Sequence, residues 1–285
     1  MEKTPAGMKI RQGVQTLLTQ ARGHTSFNDE LFDLVNVDVI IKELDPVYNN
    51  YKILNLTDIH VGQWISPEYL EGVVEYVNKL EPDLITLTGD YVSYILDGYE
   101  ESLLTSFKKL KAKEGKVAVL GNHDHWAGAG KIREILEKSD IVDLSNDVYT
   151  IEKEEKLLNV CGVDSCTVGA DDLSKVLDKL PQNGVNILLA HEPDFAEVSA
   201  ETKRFNLQIS GHSHGGQLVI PLVETTPFRF SYSVKYPIGA YKIGDMIQYT
   251  SKGLGTNSFW LRVNCKPEIT LFTLKTKKYK KIEVD

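Results

Sequence analysis

Residues 117–124 have the sequence VAVLGNHD, in which a short apolar run ends in glycine and then in Asn122, His123 and Asp124. The same pattern recurs in four other segments: ILNLTDIH (53–60), LITLTGD (84–90), NILLAH (186–191) and LQISGHSH (207–214). Apolar runs of this length, bounded by turn residues, are typical of buried β-strands. The sequence therefore predicts five strands that each end in residues with metal-binding side chains.

Helical patterns separate the first strands. Residues 66–82, SPEYLEGVVEYVNKLEP, begin with Ser-Pro, carry apolar residues at helical spacing and end at a proline, which predicts an amphipathic helix. Further helices are predicted within 99–115 and 130–140. The resulting order of strand, helix and strand favours a parallel sheet.

The remaining segments add antiparallel structure. Two apolar runs in 35–58, joined by Pro46 and Asn49-Asn50, predict a hairpin, and 148–164 predict another with a charged turn. Residues 172–182 predict a helix, and 218–222, 240–251 and 268–276 predict antiparallel strands. The fold predicted is an α/β (α+β) four-layer sandwich: two mixed β-sheets packed face to face with flanking helices, and a metal site at the carboxyl ends of the strands.

The chain is predicted to hold one folded domain. Residues 1–32 are polar, with a weakly amphipathic stretch, and are interpreted as an N-terminal tail or a loosely docked helix. Residues 33–285 are predicted to form a single domain.

Composition narrows the classes of partner. The net charge of −8 argues against a protein that binds nucleic acid in bulk, since such proteins carry a basic excess. Three cysteines without paired spacing, Cys161, Cys166 and Cys265, are predicted to be buried free thiols of a reducing compartment. No signal peptide or membrane-spanning run is visible, so we expect a cytoplasmic protein, with peripheral membrane contact as a further hypothesis. The sequence sets no oligomeric state.

The polar residues after the strands have the chemistry of a metal site. Six of the seven histidines lie in or next to these segments, together with Asp58, Asp90 and Asn122. Carboxylate and amide oxygens suit Mn, Fe or Mg, and imidazoles extend the range to Zn. A single aspartate after a strand is more often a turn or cap residue, but five such segments together argue for a metal site.

The segments Asp58-x-His60, Gly89-Asp90, Gly121-Asn122-His123-Asp124, His191 and Gly211-His212-Ser213-His214 resemble the signature of the calcineurin-like metallophosphoesterase superfamily. Their spacing and the following Gly-Gly-Gln are similar to the membrane-associated branch that includes YkuE-type phosphodiesterases and UDP-diacylglucosamine pyrophosphatases. This resemblance implies a metal-dependent phosphoesterase whose substrate is a phosphate ester.

The resemblance also implies a role for each motif residue. It places Asp58, His60 and His214 on one divalent ion, places Asn122, His191 and His212 on a second, and makes Asp90 the bridge. A carboxylate has two oxygens and can span two ions, whereas an imidazole offers one lone pair. The ions are expected to be Mn²⁺, Fe²⁺ or Fe³⁺, Zn²⁺ or Mg²⁺, with Mn²⁺ favoured, and to deliver a bridging hydroxide to phosphorus.

His123 and Asp124 are the predicted catalytic residues. By the resemblance, His123 is not a ligand but faces the leaving-group oxygen, oriented by Asp124. The alternative for Asp124 is an N-cap of the following helix. His125 has no predicted role other than surface or packing contacts.

Four residues are candidates for substrate binding. Arg262 follows Gly253-Leu254-Gly255 and is a candidate phosphate clamp, with a structural ion pair as the alternative. Phe228, Phe230 and Trp64 are candidates for one acyl-chain groove, and the alternative is that these rings pack on the sandwich.

The predicted function is hydrolysis of a phosphodiester or pyrophosphate bond, on a lipid-linked or nucleotide-linked substrate. The alternatives are a phosphomonoesterase, including a protein phosphatase, a non-catalytic metal-binding scaffold, or a nuclease. The motifs are shared among the enzymes, so the sequence does not separate them. Every ligand position of the motif is present, which disfavours the scaffold.

Overall fold

The structure is a computed structural model, and it describes residues 27–62, 64–220, 226–227, 229–257 and 262–277. Most of the predicted N-terminal tail and the candidate Phe228 lie outside the described residues. Phe27 begins the described part and its ring lies 5.6 Å from that of Tyr69 and 6.1 Å from that of Tyr76, centroid to centroid.

The first sheet has six strands in the order β1-β12-β2-β3-β4-β5. Strand β1 is parallel to β12, β12 is antiparallel to β2, and β2 to β5 are mutually parallel. The strands are β1 (Asp33–Ile41), β2 (Lys52–Leu56), β3 (Leu84–Leu87), β4 (Lys116–Ala118), β5 (Val142–Asp143) and β12 (Glu268–Thr276).

The second sheet also has six strands, in the order β10-β11-β9-β8-β7-β6. Strands β7, β8, β9 and β11 are parallel, while β6 and β10 are antiparallel edges. The strands are β6 (Asp147–Lys153), β7 (Lys156–Gly162), β8 (Val185–Leu189), β9 (Leu207–Ser210), β10 (Gly239–Ile243) and β11 (Met246–Thr250).

The described part of the chain contains five α-helices: α1 (Pro67–Asn78), α2 (Glu100–Lys109), α3 (Asn122–Lys138), α4 (Leu173–Lys179) and α5 (Ala196–Glu201). Helix α1 begins as its sequence predicts, because the Ser66 side chain accepts a hydrogen bond from the Tyr69 N–H and Pro67 fills the first turn. Helix α3 begins at Asn122, eight residues earlier than predicted, and is kinked at Gly128 (φ 125°). No described helix is both long and apolar enough to cross a membrane.

Three apolar clusters divide the molecule into layers. The central cluster lies between the sheets and includes Ile53, Val117, Leu158, Ile187 and Phe272. A second cluster lies between the first sheet and helices α1 to α3, and a third between the second sheet and helices α4 and α5. Successive side chains of a strand point to opposite faces, so each buried strand supplies two clusters. The predicted four-layer sandwich is confirmed.

The hairpin predicted in 35–58 is wrong. Strands β1 and β2 do not pair with each other, because β12 lies between them and forms hydrogen bonds with both. The connection from Lys42 to Tyr51 is long enough to cross the width of one strand and contains a short 3₁₀ helix, Pro46–Tyr48. The hairpin predicted in 148–164 is confirmed as β6 and β7.

The C-terminal strands also differ in part from the prediction. Strands β10 and β11 form the expected antiparallel pair, but β12 crosses to the first sheet and pairs in parallel with β1 over nine residues. In 218–222, Leu218 forms one isolated bridge with Val263, and 221–222 lie outside the described residues.

Candidate metal centre

The five motif segments converge at one end of the sandwich. Strands β2, β3 and β4 are parallel neighbours, as are β8 and β9, so the loops at their carboxyl ends meet at one edge of each sheet. Seven side chains from these loops are buried there: Asp58, His60, Asp90, Asn122, His191, His212 and His214. The ligand residues predicted from the sequence are therefore brought together.

The first ligand set contains Asp58, His60, Asp90 and His214, whose ligand atoms all lie within 4.8 Å of one another. The Nε2 atoms of His60 and His214 are 3.2 Å apart, and His214 Nε2 lies 3.3 Å from Asp58 Oδ1. Two ligands that are each about 2.1 Å from one ion, at about 90–110°, are roughly 3.0–3.4 Å apart. The set therefore fits a shared divalent ion.

The second ligand set contains Asp90, His191 and His212. His191 Nε2 lies 3.2 Å from Asp90 Oδ2 and 3.2 Å from His212 Nδ1. The Oδ1 atom of Asn122 is buried and has no hydrogen-bond partner among the described residues. A buried amide oxygen without a donor is costly unless an ion or water completes it, so Asn122 is available as a further ligand, and the resemblance assigns it to this set.

Asp90 belongs to both sets. The seven residues thus fit a dinuclear divalent metal site with Asp90 between the ions, as the resemblance implies. Of the two Asp90 oxygens, Oδ1 also accepts a hydrogen bond from the His123 N–H at 2.8 Å. This contact fixes the carboxylate that the two sets share to the first turn of helix α3.

Hydrogen bonds behind the imidazoles select their tautomers. His191 Nδ1 donates to the Thr88 carbonyl at 2.7 Å, and His212 Nε2 donates to the Ser231 carbonyl at 2.8 Å. Because a carbonyl oxygen only accepts, these ring nitrogens carry the hydrogen, and the opposite nitrogens face the site and are the atoms that would bind an ion. His60 Nδ1 lies 2.9 Å from Ser93 Oγ, which leaves its Nε2 facing the first ligand set.

The backbone of the ligand loops is strained. Five of the seven ligand residues have left-handed backbone conformations: Asp58 (φ 50°), His60 (φ 50°), Asp90 (φ 57°), His212 (φ 66°) and His214 (φ 50°). Such a conformation costs a residue with a side chain on the order of 1–3 kcal/mol and persists only where surrounding contacts impose it. Because strained residues cluster at functional sites, their concentration at these ligand positions supports a functional role for the loops.

Two glycines allow the carboxylates to approach the backbone. A Cβ atom at Gly121 would lie 2.2 Å from Asp90 Oδ1, and one at Gly211 would lie 2.2 Å from Asp58 Oδ2. Any larger residue would displace a ligand. The glycines of the GNHD and GHSH segments are thus required because there is no room for a side chain beside the ligands.

Burial and neighbouring charges set the ionisation of the site in the absence of metal. Burial raises the pKa of Asp58 to about 7. Burial also acts to raise the pKa of Asp90, but the charges on His191 and His123 outweigh it and hold that pKa well below its usual range. Burial lowers the pKa values of His60 and His214, which favours the neutral imidazoles that bind metal.

His123 lies beside the first ligand set. Its Nδ1 atom is 2.6 Å from the Ser93 carbonyl, and its ring contacts those of His60, Tyr94 and Trp126 at centroid distances of 4.9, 4.8 and 4.7 Å. A row of ring contacts continues from His60 to His214 at 4.9 Å and to Phe230 at 6.4 Å. Aromatic side chains therefore border the site at both ends of this row.

Asp124 differs from the prediction that it orients His123. One of its carboxylate oxygens accepts hydrogen bonds from the N–H groups of Asp90 (2.7 Å) and Gly121 (2.9 Å), and the other accepts from Tyr91 N–H (2.9 Å). The Nδ1 of His123 is instead paired with Ser93. The alternative, a capping role at the start of α3, agrees with the Gly121 contact, and burial raises the pKa of Asp124 to about 7.

The prediction that Arg262 clamps a phosphate is corrected by its contacts. Its guanidinium donates hydrogen bonds to the backbone carbonyls of Lys252 (2.7 Å), Gly253 (3.1 Å) and Gly255 (3.1 Å). It also lies 3.4 Å from the carbonyl of His214. With the Cys265 carbonyl, also at 3.4 Å, five backbone oxygens accept from this guanidinium, so its N–H groups are used within the protein.

The other candidate substrate-binding residues lie in different places. Phe230 borders the first ligand set through His214, whereas Trp64 packs partly buried against the cluster between the first sheet and its helices. The structure does not describe Phe228. His125 Nε2 donates to the Asp164 carboxylate at 2.7 Å, and Arg133 donates to the same carboxylate at 2.7 Å, so His125 connects helix α3 to the loop after β7.

Sequence reasoning missed the residues that support the ligands. Thr88 and Ser231 accept from ligand imidazoles through their backbone carbonyls. Every residue has a carbonyl, so no side-chain pattern in the sequence predicts these contacts. Glu192 could have been predicted as a residue near the site, because it directly follows the ligand His191 in the sequence. Its buried carboxylate accepts hydrogen bonds from the N–H groups of Cys166 (3.2 Å) and Thr167 (3.1 Å), which fixes the loop after β7 next to the second ligand set.

The profile of the calcineurin-like phosphoesterase family matches residues 51–216, more than half of the chain and a range that contains all seven ligand residues. The chain belongs to the calcineurin-like phosphoesterase family. As a member, it is a metal-dependent phosphoester hydrolase.

Curated relatives of this phosphoesterase include several bacterial proteins. It is 32% identical to metallophosphoesterase YkuE of Bacillus subtilis over 236 residues, covering 80% of each chain. It is 30% identical to phosphodiesterase YaeI of Escherichia coli over 227 residues, covering 79% of this chain and 82% of the relative. A metallophosphoesterase of Helicobacter pylori is 31% identical over 81% of this chain, which spans 61% of that relative's length.

Proposed function

We propose that this phosphoesterase hydrolyses a phosphodiester or pyrophosphate bond in a lipid-linked or nucleotide-linked substrate. The observation that carries the proposal is the sharing of Asp90 by two buried ligand sets, with the His123 ring 4.9 Å from His60 of the first set. A pair of ions on one carboxylate suits the in-line displacement at phosphorus, in which an attacking and a leaving oxygen must both be stabilised.

The protein's own groups have separate tasks. When bound, the two ions supply a nucleophilic hydroxide at neutral pH and neutralise charge on the phosphoryl oxygens. His123 Nδ1 is paired with the Ser93 carbonyl, so Nε2 is the atom that meets the leaving-group oxygen and can give it a proton. Asp124 holds the N–H groups that surround Asp90, and so acts on the bridge rather than on the proton donor.

The charge of the site supports a diester over a monoester. A diester carries one negative charge at phosphorus and a monoester carries up to two, so a monoesterase benefits from additional cations on the phosphate. Arg262, the candidate for that role, donates to backbone carbonyls instead. The name of the relative YaeI, a phosphodiesterase, points in the same direction.

The border of the site supports an amphiphilic substrate. The half-buried rings of Trp126 and Phe230 lie at the two ends of the ring row, and apolar walls suit an acyl chain or a nucleobase. Near Phe230, Tyr232 and Val234 are 46% and 47% exposed, which favours contact with a membrane surface as well. The cytoplasmic location stays a prediction.

The ligand types support Mn²⁺ as the native ion. Two carboxylates, one amide oxygen and four imidazoles suit a borderline to hard divalent ion, and the described site contains no thiolate. Fe²⁺, Zn²⁺ and Mg²⁺ are the competitors. A metal count on protein purified without added metal distinguishes them.

Hydrolysis of bis-p-nitrophenyl phosphate tests the proposal. Chelator-stripped protein reloaded with Mn²⁺ is expected to turn over this diester faster than p-nitrophenyl phosphate, and Asp90→Asn is expected to lose turnover with both. Asp97→Asn, which changes an aspartate that is 85% exposed, is the matched control. Turnover of the monoester alone would contradict the diester, and turnover of neither by metal-loaded protein would contradict the proposed activity.

A further inference from the structure

The guanidinium of Arg262 is surrounded by backbone oxygens. Its contacts come from three places in the chain: the loop Lys252–Gly255, which follows β11, the turn at His214, and Cys265, whose carbonyl lies at 3.4 Å. Withdrawing a cation from water is costly unless its donors are satisfied, and these carbonyls satisfy the N–H groups of Arg262. The same hydrogen bonds hold the carbonyls in place.

The 252–255 loop lies directly against the loop that carries Asp58 and His60. Leu254 N–H donates to the Thr57 carbonyl at 3.2 Å, and Gly255 N–H donates to the Asp58 carbonyl at 2.6 Å. A Cβ at Gly253 would lie 2.6 Å from Asp58 Cβ, and one at Gly255 would lie 2.9 Å from His60 Cβ. A displacement of the 252–255 loop would therefore displace both ligands.

Arg262 also contacts the remaining ligand of the same set. The His214 carbonyl lies 3.4 Å from Arg262 Nη1 and also 3.4 Å from Cys265 Sγ. The three ligands that belong to the first set alone are Asp58, His60 and His214. Arg262 is thus connected to all of them, directly at His214 and through the 252–255 loop at the other two.

The ligands of the second set are fixed by other groups. His191 is held by the Thr88 carbonyl, His212 by the Ser231 carbonyl, and Asn122 by its place in the first turn of helix α3. The imidazoles of the second set therefore have hydrogen-bond partners other than the carbonyls that Arg262 contacts, while the His212 N–H links the two sets by donating to Asp58 Oδ2 at 2.9 Å.

We propose that Arg262 is a positioning residue for the first ion, which joins the 252–255 loop to the His214 turn and so sets the spacing of Asp58, His60 and His214. Its planar fork matters as well as its charge, because three carbonyls of one loop are reached from two nitrogen atoms. Losing a group that orients metal ligands weakens metal binding by roughly 10- to 100-fold. The effect is expected at one ion of the pair.

The test is a Mn²⁺ titration of chelator-stripped protein by calorimetry, with the electron paramagnetic resonance spectrum recorded at each step. Arg262→Met is expected to keep one tight ion, to bind the other roughly 10- to 100-fold more weakly, and to show the spectrum of isolated Mn²⁺ where the parent shows a coupled pair. Arg262→Lys, which keeps the charge and loses the fork, is expected to lie between. Arg204→Met is the matched control, because Arg204 also donates to carbonyls, those of Leu180 and Pro181, away from the ligands.

Double variants assign the affected ion. Arg262→Met added to His60→Ala, in which the first set is already broken, is expected to change binding little further. Added to His191→Ala, it is expected to abolish the remaining tight binding, since the two changes then affect different sets. Equal weakening in both backgrounds would overturn the proposal.

Folding is followed by circular dichroism of the metal-free proteins. Should Arg262→Met not fold, Arg262→Lys carries the test, and unchanged binding of both ions by either folded variant would overturn the proposal. The inference rests on the dinuclear site of the proposed function but needs no substrate. A parent protein that binds two ions and hydrolyses no phosphoester would therefore contradict the proposed function and leave the role of Arg262 intact.

Discussion

The backbone N–H of His212 donates to the carboxylate of Asp58, with Oδ2 at 2.9 Å and Oδ1 at 3.1 Å. Asp58 follows β2 of the first sheet and His212 follows β9 of the second, so this hydrogen bond joins the two sheets at the ligands themselves. An ion held by Asp58 and His214 would fasten the same junction. Metal binding is therefore expected to affect the stability of the whole sandwich as well as its chemistry.

Replacing His123 is expected to separate proton donation from metal binding. His123→Asn should keep the metal content of the parent and lower turnover by about 10²–10⁴-fold for a substrate with an alkoxide leaving group, which needs a proton. Turnover of bis-p-nitrophenyl phosphate should fall less, because p-nitrophenolate leaves without one. Turnover of both diesters and a metal count provide the measurement, and an equal loss with the two leaving groups would argue against the proton donor.

Metal affinity is expected to rise with pH through neutrality. Burial raises the pKa of metal-free Asp58 to about 7, so below that pH an ion must displace its proton, at a cost of up to about tenfold in affinity per pH unit. Titrations of Mn²⁺ at pH 6, 7 and 8 measure this. An affinity independent of pH over this range would show that Asp58 is already ionised without metal.

The stability of the metal-free protein is expected to change in the opposite direction. The pKa values of Asp58 and Asp124 are raised to about 7 by burial, above the usual value of 3.8 that they regain on unfolding. Their contribution to stability is fully present below pH 3.8 and is lost as the pH rises through 7. The increase in melting temperature caused by Mn²⁺ should therefore be larger at pH 8 than at pH 6.

Asp124→Asn is expected to destabilise the fold by about 1–3 kcal/mol, since the two carboxyl oxygens that accept from three backbone N–H groups are replaced by a single amide oxygen. Urea unfolding of chelated protein gives the value. The exposed Asp97→Asn change should cost less than about 0.5 kcal/mol. A variant as stable as the parent would mean that the loop after β3 does not depend on this carboxylate.

Membrane contact is expected to depend on the exposed residues beside Phe230. The double variant Tyr232→Ser and Val234→Ser should reduce co-sedimentation with anionic liposomes severalfold, because both side chains are about half exposed in the parent. Ile40→Ser, which removes a side chain that is 60% exposed on strand β1, is the control for general loss of apolar surface. Recovery of the parent protein in the supernatant alone would remove the basis for a membrane-bound substrate.

The fold could be predicted from the sequence where local pattern decides it. Short sequence patterns predicted the strands that end in ligands and the start of α1 at Ser66-Pro67, and the structure contains these elements. The place of β12 between β1 and β2 could not be predicted, because it depends on pairing between residues more than 200 positions apart. Apolar periodicity identifies a strand but does not choose its neighbour.

The same distinction holds at the site. The ligands carry distinctive side chains, so their residue types and spacing predicted the group that the structure assembles. The partners of His191 and His212 are carbonyl oxygens, and the role of Arg262 depends on four more. Residue types do not show which backbone carbonyls a side chain contacts. The sequence alone therefore could not distinguish a phosphate clamp at Arg262 from an arginine that binds carbonyls.

The left-handed backbone at five ligand positions limits how this site can change over evolution. Aspartate, asparagine and histidine are the residues with side chains that adopt this conformation most readily, while β-branched residues are strongly disfavoured. At these five positions the backbone therefore favours exchanges among aspartate, asparagine and histidine, which are oxygen and imidazole donors. The shape of the chain thus restricts which metals its descendants can recruit, independently of any selection on catalysis.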